Sequence, residues 1–124
     1  MTKHDPALLC SSKPNCVSTQ ELRTDYHIEP FELLSENTSI DEIEKVALTL
    51  PRTKTVEKTD TRLHLECTSL VLKFVDDVHI VIEDNFLQVR SKSRVGYSDF
   101  GVNKNRAETL RAKLTEANII KPAL

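Results

Sequence analysis

The chain has 124 residues, with 17 Lys and Arg against 19 Asp and Glu, for a formal net charge of -2. Charged residues at 29% and hydrophobic ones at 39% suit one folded domain with a modest core rather than a disordered chain. Mild acidity and a lack of Trp argue against a nucleic-acid surface, and no apolar run reaches the roughly 20 residues a membrane-spanning helix needs.

Residues 1–38 keep neither a helical nor a strand period. Pro6, Pro14 and Pro30 punctuate them, and C-S-S-K-P-N-C-V-S-T-Q is crowded with turn formers. They read as an N-terminal extended arm that wraps the domain, anchored by Val17, Leu22, Tyr26, Ile28 and Phe31. Residues 39–124 read as a single α+β domain. Five residues separate Cys10 from Cys16. That is wider than the roughly two to four of a zinc knuckle, and no second pair follows. They read as free thiols or, in oxidising surroundings, as a redox pair. The start of the chain lacks the apolar core of a signal peptide, so the default compartment is cytoplasmic, where thiols stay reduced.

The first clear element opens at Ser39, which with Glu42 forms a capping box. Ile40, Ile43, Ala47 and Leu50 then recur at helical spacing until Pro51 ends the run. From Thr53 the period becomes two. T-K-T-V-E-K-T reads as an edge-like strand, and Leu63, Leu65 and Cys67 alternate with His64, Glu66 and Thr68. The run L-V-L-K-F-V-D-D-V-H-I-V-I-E follows, its period broken at Asp76-Asp77 by an expected bulge. Asp84-Asn85 is a two-residue hairpin turn without glycine, and F-L-Q-V-R-S-K-S is the fourth strand. A second helix is expected from an Asn103 N-cap, with Ala107, Leu110, Leu114 and Ala117 on its buried stripe. The predicted fold is thus a four-stranded antiparallel sheet with two helices packed on one face, in the order αββββα.

The most informative stretch is R-S-K-S-R-V-G-Y-S-D-F-G-V-N, residues 90–103. Both glycines of the chain, Gly96 and Gly101, fall in it, and glycine serves where a backbone turns left-handed. Between Arg90 and Arg106, five basic residues face one acid, Asp99. Three blocks resemble domain-of-unknown-function family 1499, a bacterial and plastid family: C-S-S-K-P-N-C-V-S-T-Q with residues 27–31 after it, F-V-D-D-V at residues 74–78, and R-S-K-S-R-V-G-Y-S-D-F-G-V-N-K-N-R. The resemblance covers nearly the whole chain and implies no settled reaction. This chain departs from the family's pattern at Asp60-Thr61-Arg62, where many members have an aromatic residue. It also lacks the export or lipoprotein signal that many members carry.

Two functional readings with a site follow, beside a third in which the chain is a structural or assembly factor and the signature merely fixes the loop. In the first, a non-enzymatic module binds a small anionic ligand or a protein partner, and no cofactor is called for. Its site is formed by Arg90, Ser91, Ser93, Arg94, Gly96, Tyr97, Ser98, Asp99, Gly101, Asn103, Lys104 and Arg106, with Asp76 and Asp77. Lys104 and Arg106 would then stand at a helix start that already attracts anions. The alternative is a hydrolase-like enzyme with Asp76, Asp77 or Asp99 as general base and Arg90 and Arg94 holding an anionic substrate. Asp76 and Asp77 are neighbours on a strand, so they should point to opposite faces and pair with arginines. His27, His64 and His79 lack metal-ligand spacing, and neither a G-x-S-x-G elbow nor a phosphate-binding loop is present.

Overall fold

A computed structural model of the chain describes residues 5–123; residues 1–4 of the expected arm lie outside them. The elements are a 3-10 turn Pro6–Leu8, β1 Cys16–Ser18, a 3-10 turn Thr24–Tyr26, β2 Phe31–Glu32, α1 Ile40–Ala47, β3 Thr53–Lys58, β4 Arg62–Thr68, β5 Val75–Glu83, β6 Phe86–Ser93 and α2 Val102–Glu116. The α+β class and the β3–β6 antiparallel meander stand as the sequence implies.

The sheet, however, has six strands rather than four. Its order is β1-β6-β5-β4-β3, with β2 also paired to β6. Both added strands come from the arm, at three and two residues. Strands that short show no period of their own. They form because β6 offers a complete free edge, taking Val17 opposite Ser91 and Phe31 opposite Leu87.

Alternation along each strand separates two faces. The inner face carries Leu63, Leu65, Val78, Ile80, Leu87 and Val89, all fully or almost fully buried. Both helices cover it through Ile43, Ala47, Ala107, Leu110 and Leu114, and the arm contributes Val17, Ile28, Phe31 and Leu33 to the same core. The Ser39 capping box is present. Asp84 and Asn85, at φ 49 and 68, make the expected hairpin turn.

Two local expectations change. β4 and β5 pair without interruption from Arg62 opposite Val81 to Thr68 opposite Val75, so no bulge sits at Asp76-Asp77; the irregularity lies in β3, between Thr55 and Glu57. Of the apolar run before Asp76, only Val75 is strand. Residues 70–74 form a loop closed by Ser69 and Phe74 through backbone and hydroxyl hydrogen bonds, with Lys73 at φ 59.

Candidate functional site

β5 and β6 divide the sequence-predicted site residues between the two faces of the sheet. On the inner face Asp76, Ser91 and Ser93 meet α2 near its start. Asn103 is fully buried there and joins them. Its amide nitrogen reaches the Asn15 carbonyl at 3.1 Å, Ser93 Oγ at 2.9 Å and Asp99 at 2.6 Å. Its carbonyl oxygen accepts from Ser91 Oγ at 2.6 Å and from Arg106 at 2.9 Å. Arg106 also pairs with Asp76 at 2.8 Å, with both side chains largely buried.

Asn103 is therefore not the helix cap. Gly101 occupies the cap position at φ 84, and Asp99 accepts the backbone N–H groups of Gly101 at 2.8 Å and Asn103 at 3.2 Å. The position an anion would take at this helix start is filled by the protein's own carboxylate. Of the two cations expected to stand free there, Arg106 is paired and Lys104 is exposed.

The outer face carries Asp77, Arg90 and Arg94, together with residues the sequence reading did not assign to the site. His64 donates to Asp77 at 2.7 Å and stacks on His79, with ring centroids 4.1 Å apart. Arg94 donates twice to Asp77, at 2.8 and 2.9 Å, and also pairs with Glu66. Burial would raise the Asp77 carboxyl, but the Arg94 and His64 hydrogen bonds outweigh it and bring the group down to about 2. Hydrogen bonds from Asp77 and Glu66 push Arg94 the other way, above its ordinary value.

Arg90 meets no carboxylate. It is buried under the arm, donating to the Leu9 carbonyl at 2.9 Å and to His79 Nδ1 at 3.0 Å. Burial, the neighbouring His64 and Arg90 hold His79 down at about 4, so it is a neutral acceptor near neutrality. Alternation on β4 and β5 already put His64, Glu66, Asp77 and His79 on the non-core side. Only the strand register, which the sequence does not give, brings them together. Asn15 likewise carried no signal beyond its place in the opening block.

Cys10 and Cys16 form a disulfide, where the sequence favours free thiols. Cys16 stands opposite Lys92 on the outer side of β1, so the bridge holds the first turn of the arm over that face. Leu8 is buried beneath it, with its carbonyl accepting from Ser18. Cys67 is a free buried thiol on the core side, raised by burial.

Above this base the loop is open. Tyr97 is 70% exposed and Phe100 94%, with Gly96 at φ 88 and Phe100 itself at φ 52. A cleft of about 170 Å³ at its foot is lined by Asp25, Tyr26, Ser98, Asp99 and Lys104 among others. A wider, open groove between α1 and α2 includes Glu42, Lys45, Lys113 and Glu116 and none of the predicted site residues. No group of three or more His, Cys, Asp or Glu among the described residues could hold a metal ion. No helix among them is long and apolar enough to cross a membrane.

No curated protein and no solved structure matches the chain. The sequence profile of one family does, that of Protein of unknown function (DUF1499), over residues 8–114. This span runs from the buried Leu8 of the arm to Leu114 of α2 and takes in both polar clusters, and on it the chain belongs to the DUF1499 family.

Proposed function

We propose that the protein is a non-enzymatic binding module whose signature loop, residues 94–101, is the contact element. The observation that carries this is the contrast within one loop. Asn103, fully buried, ties the loop's base to β6, α2 and the arm, while Tyr97 and Phe100 stand 70% and 94% exposed. Large aromatic side chains are ordinarily buried, and exposed ones on a fixed support are typical of binding anchors.

A small anion is the narrower form of the same reading. It rests on exposed Lys104 and the left-handed Gly96 and Gly101, with Asp99 as its competitor at the helix start. The hydrolase-like reading has less support. Asp76 and Asp77 face opposite sides of the sheet, and Asp99 is engaged by backbone N–H groups.

The test is a photoreactive phenylalanine analogue placed at position 100, and separately at Leu22, which is 92% exposed on the arm. In cells that make the protein, irradiation is expected to give adducts from position 100 and none from position 22. Equal labelling at the two positions would remove the loop as contact element.

A further inference from the structure

We infer that the loop tips dock on an anionic lipid surface, an assignment that rests on the binding-module reading. Eight of the fourteen large hydrophobic residues that are exposed among the described residues lie in two loops or directly beside them. Leu70, Val71, Leu72 and Phe74 belong to the β4–β5 loop; Val95, Tyr97 and Phe100 belong to the β6–α2 loop, and Val102 opens α2. The two loops leave neighbouring strands at one end of the sheet, where the Arg94 backbone N–H donates to the Val75 carbonyl. The turns at the other end are polar, with Thr59, Asp60, Thr61, Asp84 and Asn85.

The tips are turned outward by their backbones. Phe100 sits between Asp99, whose carboxylate grips the N–H groups of Gly101 and Asn103, and the left-handed Gly101. That grip holds Phe100 itself at φ 52, and Lys73 at φ 59 turns the other loop. Left-handed conformations are unusual for side chains of this size and persist where the surroundings fix them. Val71 at 81% and Phe100 at 94% are the most exposed apolar groups of the two loops.

Charge selects the occupant. Lys73 and Lys104 are exposed in or beside these tips, and Arg52 joins the same end through its bond to the Thr68 carbonyl. The acids at this end are engaged: Asp76 by Arg106, Asp77 and Glu66 by Arg94, and Asp99 by the helix start. Asp25 lines the cleft it shares with Lys104. A second copy of the chain would bring cation against cation. A bilayer with anionic headgroups accepts both the apolar tips of the two loops and the cations beside them, with Tyr97 at the interface.

The chain contains no Trp, so Phe100→Trp and Val71→Trp each give a single fluorescent reporter, with Phe86→Trp at the far end of the sheet as control. The protein is floated with vesicles of equal parts phosphatidylglycerol and phosphatidylcholine, and with phosphatidylcholine alone. The expected result is co-flotation with the anionic vesicles only, blue-shifted emission from positions 100 and 71, and an unchanged control. Lys73→Gln/Lys104→Gln is expected to weaken binding roughly tenfold, since each cation near an anionic surface adds to the attraction. These side chains lie outside the core, and thermal unfolding of each variant checks that it still folds. Failure to float with anionic vesicles, identical emission shifts at positions 100 and 86, or self-association in place of flotation would overturn the assignment. If flotation fails while the position-100 adducts persist, the lipid surface falls and the binding module stands; if both fail, both fall.

Discussion

Asp76 and Asp77 are joined by one peptide bond, yet they serve opposite sides of one sheet. Asp76 is 7% exposed and meets Arg106 in a cluster closed by Asn103, with hardly any water at hand. Asp77 meets Arg94, whose side chain is 44% exposed, in a lattice that Glu66 and His64 share. The inner cluster binds α2 and the arm to β6 and has no spare partner. The outer lattice is redundant and solvated. The same residue type is therefore a structural tie on one face and an adjustable charge on the other, and strand alternation alone decides which.

The widest separation between the two faces should come from matched alanine substitutions, compared by urea unfolding. Asp76→Ala leaves the Arg106 charge buried without its partner and should cost about 3–5 kcal/mol. Asp77→Ala should cost about 1 kcal/mol, because Arg94 keeps Glu66 and its half-exposed guanidinium is screened by solvent. Equal losses, or the reverse order, would break the contrast. Next in size is Gly101→Ala, which should lose about 1 kcal/mol through the backbone alone. No atom lies within 4 Å of the added carbon, so φ 84 is the whole cause. Gly101→Asn should lose less, since Asn tolerates the left-handed region; an alanine variant as stable as the parent would show that the cap does not need its left-handed residue.

Titration tests the outer face alone. His79 sits at about 4 in the folded protein against its ordinary 6.5, so as pH falls through that window the unfolded chain takes up the proton first. Stability present above pH 6.5 should decline towards pH 4. It should decline further as pH passes from 3.8 towards 2, where Asp77 is protonated. His79→Gln should flatten the upper part of this profile. Unfolding midpoints that do not move between pH 7 and 4 in the parent would remove the neutral, buried imidazole from the account.

The helices and the meander were legible because their signals are local. Ser39 and Glu42 mark a start three residues apart, and Ile43, Leu65, Ile80 and Leu110 fall on clean periods that one core explains. Both glycines are left-handed, where their confinement to one loop implied at least one. What stayed hidden depends on register. β1 and β2 are too short to show a period and exist by leaning on β6. Asn103 looks like a helix cap from sequence because Asn favours that place; in the fold Asp99 does the capping and Asn103 is drawn inward by Ser91, Ser93 and Asn15. The apolar residues 70–74 look like a strand, since a window of hydrophobic residues cannot declare that it faces outward.

The pairing of the arm with β6 also fixes an order of events. Val17, Phe31 and Leu33 are made early on the ribosome, but the edge they dock against is made near the end. The Asn15–Asn103 bond spans 88 positions and the Thr19–Val89 bond 70. Closing such distances has to wait for the meander, and long-range pairing of this kind slows folding. The nascent chain thus carries Val17, Ile28, Phe31 and Leu33, about a fifth of the described core, uncovered until β6 emerges, the period in which exposed apolar segments are most prone to association or to a holding chaperone.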